Sequence, residues 1–587
     1  MLQAEDQRIA VMARAKDAVV AIFAARGQGG GSGVLVSADG YVLSNFHVAR
    51  PCGNAMQCGL PDGRVYDAVV VGLDPTGDVA LIKLLGRDDF PHAELGDSDQ
   101  LRPGDWVFAM GNPFLLAADF QPTVTYGIVS GLHRYQYPDG TLLEYTDCIQ
   151  TDASINPGNS GGPLFDVQGR LIGINGRCSF EKRGRVNVGV GYAVSINQIK
   201  NFLGVLRSGR IVDHATMGTR VSSDDSGRVV VSEILETSDA YRRGLRYDDE
   251  IVSFGGRTIS TANGFKNILG IFPKGWRVPL SYRREGKRYD VLVRLSGVHS
   301  QQDLLEKTLG RPPELMPLPK PGERPEPKDR GKGPPKPPQT PPDDLPRLVP
   351  GPAAPMPESV KKCFREKSGF ANYYFNELEQ QRVWKAWTAR AKFAGLGGTW
   401  TISGPLESGG TFRCELGDDG GRFKRSPVNG AAADDVKWTA GTDFSTSLLP
   451  AHSGGLLPAL YLWRRLALEG LAHFGELYYY GTAPVPGGEG QADVLVGQYK
   501  HVECRFYFDR AQGQLVAVEM YPDAEADPCE IRFSEFRDVQ GRSLPARMEV
   551  RTGDDLYGVF SLAQCTVGTG EQKSRGTGEP AGTSGGK

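Results

Sequence analysis

The sequence predicts a multidomain, mainly β protein that ends in an α+β domain. Its length of 587 residues exceeds the size at which a single hydrophobic core normally stops growing. Between residues 27 and 194, short apolar runs alternate with turn signals such as Ala38-Asp39-Gly40, a pattern typical of an all-β barrel or sandwich. Finally, 18 of the 40 prolines lie in residues 299–358, which divides the chain into two folded parts.

The composition excludes several classes of function. The 67 Lys and Arg residues nearly balance the 69 Asp and Glu residues and are dispersed, so we expect binding to neither nucleic acid nor an anionic membrane. No apolar run reaches the roughly 18 residues that a transmembrane helix needs, and no secretory signal is recognised. The nine cysteines show no paired CxxC spacing, so neither zinc nor another metal is expected.

The first half of the chain divides into three predicted units. Residues 1–17 place Ile9, Met12 and Ala13 at helical spacing and predict an N-terminal helix. Residues 18–208 are the predicted β domain, which closes with a short helical stretch. Its glycine-rich run at residues 27–33 lacks the Gly-Lys-Ser/Thr ending of a phosphate-binding loop, so no nucleotide cofactor is expected. Residues 215–298 mix strand and short helix patterns and predict a small separate domain.

The second half begins with a predicted spacer. Residues 299–358 interleave proline with charged residues and glycine, cannot bury a core, and predict a disordered, extended linker. Residues 359–565 regain aromatic residues and contain at least two helix patterns followed by several strands, which predicts an α+β domain with an antiparallel sheet. Residues 566–587 are predicted to be a disordered tail.

One stretch, TDASINPGNSGGPL at residues 151–164, suggests a catalytic nucleophile. A serine hydroxyl is a weak nucleophile without a base and oxyanion-stabilising donors, and the glycines around Ser160 would let the amides of Gly158 and Ser160 converge beside the hydroxyl. The alternative is an ordinary Gly/Asn/Pro turn between two strands.

Two upstream residues distinguish these alternatives. His47 follows a strand pattern, and Asp78 lies where a turn delivers an acid to the start of an apolar strand, a place where a buried carboxylate needs a partner such as an imidazole N–H. The order His47, Asp78, Ser160 is that of the chymotrypsin-like double β-barrel and differs from the order in subtilisin and the α/β-hydrolases.

The string Gly-Asn-Ser-Gly-Gly also matches the GxSxG nucleophile elbow of esterases. That elbow must open a helix, and its acid and histidine must follow the serine in sequence. Pro163 and the strand-like Leu164-Phe165 disfavour a helix, and His47 precedes Ser160. We therefore prefer the protease interpretation.

Six collinear segments between Ser32 and Arg177 resemble the protease domain of the HtrA (Deg) serine proteases. They are SGVLVSADGYVLSNFHV, GDVALIKL, GDWVFAMGNPF, TVTYGIVSGL, IQTDASINPGNSGGPL and LIGINGR. The resemblance implies a trypsin-like double β-barrel in which His47 is the general base, Asp78 orients it and Ser160 attacks a peptide carbonyl. It places the oxyanion hole at the amides of Gly158, Asn159 and Ser160.

The resemblance also implies a substrate class. In trypsin-like pockets an aspartate at the position of Ser154 selects Lys or Arg, so cleavage after basic residues is not expected here. Members of the family cleave unfolded or misfolded proteins after small or medium aliphatic residues, without ATP or metal, in the periplasm or cell envelope, often as homotrimers. The contrasting hypothesis is a non-catalytic chaperone or peptide-binding scaffold.

Residues 215–298 resemble a PDZ domain, chiefly through SDAYRRGL at residues 238–245 followed by DDEIV at residues 248–252. PDZ domains capture a peptide carboxylate on loop amides and add the peptide as a strand. In HtrA relatives that loop reads apolar-Gly-apolar, whereas this chain has Met217, Gly218, Thr219 and Arg220. Either a working peptide groove or a purely structural PDZ-like domain fits this departure.

Two further expectations stay open at this point. Cys52 with Cys58, and Cys148 with Cys178, are candidate disulfides of an extracytoplasmic enzyme, the alternative being buried thiols. The end of the C-terminal domain faintly resembles the curved sheet of LolA-type lipoprotein carriers. Such a sheet would bind a lipid or a protein partner, and the alternative is a packing or oligomerisation domain.

Overall fold

The computed structural model describes residues 2–24, 30–112, 119–136, 144–156, 158–180, 187–309, 355–393, 396–426 and 434–566. Three folded domains follow one another in these ranges. We call them the protease-like domain (residues 18–208), the middle domain (residues 215–298) and the C-terminal domain (residues 359–566).

Helix α1 (Leu2–Ala15) precedes the protease-like domain and leads into its first barrel. The strands of this barrel are β1 (Val19–Phe23), β2 (Gly30–Leu35), β3 (Tyr41–Ser44), β4 (Ala55–Gly59), β5 (Val65–Asp74) and β6 (Val79–Leu84). They close in the order β1-β2-β3-β6-β5-β4, and a one-turn helix, α2 (Phe46–Ala49), follows β3.

A second barrel follows in the same domain. Its strands are β7 (Trp106–Gly111), β8 (Thr123–Gln136), β9 (Tyr145–Thr151), β10 (Pro163–Asp166), β11 (Leu171–Phe180) and β12 (Asn187–Ser195). They close in the order β10-β11-β12-β9-β8-β7, and helix α3 (Ile196–Arg207) ends the domain. Two closed six-stranded barrels confirm the predicted chymotrypsin-like fold.

The middle domain is a small sheet flanked by helices. Its elements are β13 (Ala215–Thr216), β14 (Thr219–Ser223), β15 (Val229–Ile234), α4 (Asp239–Arg242), β16 (Glu250–Phe254), β17 (Arg257–Thr258), α5 (Ala262–Leu269), β18 (Arg277–Arg284), β19 (Lys287–Arg294) and β20 (Ser296–Gly297). The main sheet has the order β14-β15-β16-β18-β19, so β14 is an edge strand, and α5 packs against it.

Helical structure extends into the start of the predicted linker. Helix α6 (Gln301–Leu309) occupies residues assigned to it, and Leu304 on this helix is buried. Residues 310–354 of the predicted linker and residues 567–587 of the predicted tail lie outside the described residues.

The C-terminal domain contains two antiparallel sheets. Its helices are α7 (Glu358–Lys361), α8 (Tyr373–Ala391) and α9 (Leu456–His473). Its strands are β21 (Trp400–Pro405), β22 (Thr411–Gly417), β23 (Gly420–Ser426), β24 (Asp434–Thr439), β25 (Glu476–Pro484), β26 (Gln491–Tyr499), β27 (Val502–Asp509), β28 (Leu515–Tyr521), β29 (Cys529–Val539), β30 (Arg542–Thr552), β31 (Asp555–Ser561) and β32 (Gln564–Thr566).

Helix α9 fills the space between these two sheets. The first sheet has the order β24-β23-β22-β21-β32, and the second is a seven-stranded meander from β25 to β31. Leu460, Leu462 and Leu466 are fully buried, because α9 contacts β22 and β23 on one side and β28 and β29 on the other. A helix that is apolar on all sides is expected to be enclosed in this way.

The outer face of the meander packs against the middle domain. Phe272 and Trp276 of the middle domain share one hydrophobic cluster with Tyr480 and Val494 of the meander, and the Trp276 indole N–H donates to the carbonyl oxygen of Thr482 at 2.9 Å. The middle domain therefore lies between the protease-like domain and the C-terminal sheet.

The protease-like domain also contacts the C-terminal domain directly, where α3 crosses β25. A Cβ atom on Gly204 would lie 2.6 Å from the backbone nitrogen of Thr482, closer than real Cβ contacts allow. Close approach of two backbones is a recognised reason for glycine in a helix.

We expect Gly204→Ala to destabilise this junction although alanine favours helix formation. The added methyl group collides with both the side chain and the backbone nitrogen of Thr482, and the backbone cannot rotate away. Overpacking of this kind costs about 1–3 kcal/mol. Thermal unfolding would show a lower midpoint for the variant. The matched control is Gly441→Ala, because a Cβ there meets nothing within 4 Å; equal midpoints for both variants would contradict the packing.

Candidate active site

The two barrels bring the three predicted catalytic residues into one region. His47 lies on α2, directly after β3, and Asp78 lies in the turn between β5 and β6, so both belong to the first barrel. Ser160 lies in the turn that precedes β10 of the second barrel. The site therefore depends on how the barrels pack, not on one segment of chain.

Asp78 and His47 are joined by two hydrogen bonds. The backbone N–H of His47 donates to Asp78 Oδ1 at 3.0 Å, and His47 Nδ1 lies 2.8 Å from Asp78 Oδ2. The Asp78 side chain is fully buried, whereas the His47 side chain is 40% exposed. This arrangement holds the imidazole at one ring nitrogen and leaves the other, Nε2, available for proton transfer.

The turn that carries Asp78 is shaped by its own sequence. Asp74 accepts hydrogen bonds from the backbone N–H groups of Thr76 at 3.1 Å and Gly77 at 2.8 Å. Asp78 itself has a φ of 59°, and the Asn45 side chain donates to its carbonyl oxygen at 2.9 Å. Aspartate tolerates this left-handed conformation better than most residues, and the surrounding bonds fix it.

Tyr145, which the sequence analysis did not single out, is a third partner of Asp78. Its hydroxyl on β9 of the second barrel donates to Asp78 Oδ2, and its side chain is buried. Tyrosine and aspartate lie 67 residues apart in sequence, so only the packing of the barrels brings them together. The sequence carries no local signal for this contact.

The charge of Asp78 changes the titration of His47. Burial by itself would lower the pKa of His47, but the negative charge of Asp78 and its hydrogen bond raise that pKa above the ordinary value of about 6.5. A neighbouring carboxylate thus makes His47 a stronger base.

The Ser160 hydroxyl donates to a backbone carbonyl in this structure and not to His47. Its hydroxyl donates to the carbonyl oxygen of Gly176 at 3.3 Å, and among the described residues it makes no hydrogen bond to His47. Catalytic hydrogen bonds are often loose in unliganded proteases and tighten when substrate binds. A rotation of the Ser160 side chain is therefore needed before His47 can accept its proton.

Bonds across the barrel interface hold the Ser160 turn. Ser32 of β2 donates from its backbone N–H to the carbonyl oxygen of Ser160 at 2.9 Å and from its hydroxyl to that of Gly158 at 2.6 Å. Gly161 has a φ of 83°, and a Cβ there would lie 2.2 Å from the Ser32 carbonyl oxygen. Only glycine fits this position.

The predicted oxyanion donors are not equivalent. The backbone N–H of Asn159 donates to the carbonyl oxygen of Asn156 at 2.9 Å, so this amide is already committed. Among the described residues, the N–H groups of Gly158 and Ser160 make no hydrogen bond. Of the three amides that the resemblance implied, Asn159 is therefore already bonded within its own turn.

The predicted specificity residue and one group of possible metal ligands can be located in the structure. Ser154 is exposed, and its carbonyl oxygen accepts from the Thr125 hydroxyl at 2.9 Å, so no negative charge lies at that position. Asp99, His133 and Asp147 could face a cation, but the Arg257 guanidinium already donates to Asp99 at 2.9 Å and to Asp147 at 2.7 Å. The Arg257 guanidinium thus bonds both carboxylates of this cluster.

The structure contradicts one of the two predicted disulfides. Cys52 and Cys58 are both free thiols. The Cys52 thiol instead lies 3.5 Å from the carbonyl oxygen of Val48. The side chain of Cys178 lies outside the described residues, so the second predicted pair is not described.

The loop predicted to bind peptides begins the middle domain's edge strand. Met217 is buried, Gly218 has a φ of 72°, and Thr219 and Arg220 start β14. The N–H of Gly218 donates to the Thr216 hydroxyl at 3.1 Å, so one loop amide is not free to bind a carboxylate.

Two closed barrels, a buried Asp–His pair and a glycine-rich serine turn define a trypsin-like serine protease domain. Comparison with known proteins agrees, because residues 31–174 match the family of trypsin-like peptidase domains. A probable periplasmic serine endoprotease DegP-like from Chlamydia trachomatis is 36% identical over 282 residues, which cover 46% of this chain and 54% of the relative.

Periplasmic serine endoprotease DegP of Escherichia coli is 38% identical over 281 residues, which cover 45% of this chain and 56% of that protein. A solved structure of the HtrA-type protease AlgW with a tripeptide is 31% identical; the match covers 49% of this chain and 96% of that one, with a TM-score of 0.41. Residues 31–174 of this chain thus match a trypsin-like peptidase domain, and the chain spans about half the length of the curated relatives it matches.

We expect Tyr145→Phe to reduce kcat/KM for unfolded casein about tenfold, a loss of about 1.4 kcal/mol in transition-state stabilisation. The variant removes one donor from Asp78, so the carboxylate orients His47 less firmly. With one hydrogen bond fewer, the negative charge of Asp78 acts more strongly on His47 and raises the His47 pKa further. The acid limb of the pH profile of kcat/KM should therefore move to higher pH.

Tyr557→Phe is the matched control, because the Tyr557 hydroxyl is buried without a hydrogen-bond partner among the described residues. A purely structural role for Tyr145 would lower the unfolding temperature and leave the pH profile unmoved.

Proposed function

We propose that the chain is a serine endopeptidase of HtrA type, with Ser160 as nucleophile, His47 as general base and Asp78 as the residue that orients His47. The observation that carries the proposal is the buried Asp78 carboxylate, which bonds both the backbone and the ring of His47. The Ser160 turn is tied to the same barrel through Ser32.

The geometry supports an acyl-enzyme mechanism. Ser160 Oγ attacks the carbonyl carbon of the substrate while His47 Nε2 takes the hydroxyl proton. The N–H groups of Gly158 and Ser160 stabilise the oxyanion that forms. Collapse of this intermediate expels the amine, which takes the proton from His47, and water then releases the acyl group by the same steps in reverse. Asp78 stays ionised and stabilises the imidazolium.

The substrate class follows from the pocket and the relatives. Ser154 offers no charge to a basic side chain, which supports cleavage after small or medium aliphatic residues in unfolded or misfolded proteins. We place the enzyme in protein quality control in the periplasm or cell envelope, since both curated relatives are described as periplasmic. None of the helices in the described ranges is long and apolar enough to cross a membrane.

The middle domain is proposed to be PDZ-like and to take a peptide beside β14. Support comes from the position of β14 at the sheet edge next to α5, because PDZ domains add a peptide strand at such an edge. The commitment of the Gly218 amide to Thr216 predicts weak capture of a peptide carboxylate. Assembly into homotrimers stays a prediction from the family.

The C-terminal domain is proposed to be a packing domain. The apolar cavity beside Trp387 and Trp463 has a volume of about 10 Å³, hardly enough for one water molecule and far too small for an acyl chain. The outer face of its sheet packs against the middle domain. These contacts favour a structural role over a lipid-binding one.

A non-catalytic chaperone or scaffold is the less favoured alternative, because His47, Asp78 and Ser160 all carry competent side chains in one region. The test is digestion of unfolded casein by the full chain and by Ser160→Ala. We expect the variant to lose at least about 10⁴-fold in rate, as in other serine proteases that lack a triad member.

Ser226→Ala, an exposed serine in the middle domain, is the control that should cleave like the wild type. Cleavage by Ser160→Ala at the wild-type rate would show that another residue or a contaminant acts. No cleavage by either protein, across temperatures and added peptides, would favour the scaffold.

The raised pKa of His47 predicts the pH dependence. Protonated His47 cannot accept the serine proton, so kcat/KM should fall as pH falls through the His47 pKa. Because Asp78 raises that pKa, the midpoint of the acid limb should lie above pH about 6.5. A midpoint at or below pH 6, measured with a short peptide substrate, would contradict the Asp78–His47 pairing.

A further inference from the structure

A polar cleft lies between the middle domain and the C-terminal sheet, beside the segment that follows α3. It has a volume of about 500 Å³ and is lined by the segment after α3, by β18 to β20 of the middle domain and by strands β25 to β28 of the C-terminal sheet. A cleft of this size is large enough for a small organic ligand.

Arg210 enters this cleft from the segment that joins α3 to the middle domain. Its guanidinium carbon lies 5.3 Å from the ring centre of Phe370, 4.7 Å from that of Tyr478 and 5.8 Å from that of Tyr480. Among the described residues, its side chain forms no ion pair and no hydrogen bond with a protein group. Aromatic rings thus hold the guanidinium in place, but no carboxylate neutralises it.

Two other residues with cationic side chains, Arg505 and Lys274, contact Tyr480. The Arg505 guanidinium carbon is 5.9 Å from the ring centre of Tyr480, and the Tyr480 hydroxyl donates to the backbone carbonyl of Lys274. Burial lowers the pKa of Lys274, and the positive charges of Arg210 and Arg505 lower it further, against the opposite effect of Asp213. These three side chains are therefore close enough to repel one another.

The nearby acids are mostly committed to other cations. Glu503 accepts from Arg505 at 2.8 Å, and Asp213 lies 3.7 Å from Lys274 while it also binds the ring of His299. Asp523, which also lines the cleft, accepts from the backbone N–H of Glu525 at 2.7 Å, whereas the other acids at the cleft face other arginines. Glu519 pairs with Arg294, Glu530 pairs with Arg277, and Asp239 and Asp527 pair with Arg242. Arg210 is left with a free charge.

We propose that this cleft binds a small polyvalent oxyanion, a phosphate or a carboxylate compound, with Arg210 as its main contact and Lys274 beside it. A guanidinium offers parallel N–H donors to two oxygens of such a group. Because its aromatic neighbours already fix Arg210, little side-chain entropy is lost on binding. The occupant bridges the segment after α3, which carries Arg210, and the middle domain, which carries Lys274, and it stabilises their packing.

The test uses the full chain with Ser160→Ala, so that proteolysis does not interfere. Pyrophosphate and citrate are titrated separately in a calorimeter at constant ionic strength. We expect one site per chain, about tenfold weaker binding after Arg210→Gln, and an intermediate loss after Arg210→Lys, which keeps the charge without the forked donors. Binding of pyrophosphate alone assigns the site to phosphate compounds, and binding of citrate alone assigns it to carboxylates.

The control is Arg413→Gln, because Arg413 is exposed on β22 and pairs with Glu415 away from the cleft. Circular dichroism checks that each variant is folded, and Lys274→Met gives a second variant that should also bind more weakly. The proposal is overturned if neither probe binds the parent protein up to about 10 mM, a free energy near −2.7 kcal/mol. Equal affinity in the parent and in folded Arg210→Gln would overturn it as well.

Discussion

The buried carboxylate of Asp78 is the constraint on which the candidate site depends. A charged group without solvent must be fully hydrogen-bonded, and this one receives the backbone N–H and the ring of His47 and the hydroxyl of Tyr145. The first two bonds lie within the first barrel, and the third comes from the second barrel. The hydrogen bonds to the Asp78 carboxylate therefore fix the orientation of His47 and part of the relative position of the two barrels.

Strand β9, which carries Tyr145, connects the candidate site to the middle domain. Tyr145 and Asp147 both lie on β9, and Asp147 forms hydrogen bonds with two residues of the middle domain. The Arg257 guanidinium donates to the Asp147 carboxylate at 2.7 Å. The backbone N–H of Asp147 donates to the side-chain oxygen of Asn267, also at 2.7 Å. The middle domain is thus docked on β9, the strand whose Tyr145 bonds Asp78. A shift of α5 would therefore displace β9.

The C-terminal sheet holds the middle domain in this position through a buried ionic cluster as well as apolar contacts. Burial would raise the pKa of Glu519, but Arg294, Arg277 and Arg505 lower it well below its usual value. The hydroxyls of Tyr507 and Tyr521 also donate to Glu519, at 2.7 and 2.8 Å. Buried ion pairs contribute little net stability but are costly to break, so the cluster favours one arrangement of the two domains.

The sequence by itself determined the mainly β character, the order His47, Asp78, Ser160 and the glycines around the serine, since turn residues, strand patterns and chain order are local properties. Only the tertiary structure decided the rest. It paired Tyr145 with Asp78, committed the Asn159 amide to its own turn, left Cys52 and Cys58 unpaired, and filled the C-terminal domain with α9. These features depend on contacts between residues far apart in the chain, whose distances no local pattern specifies.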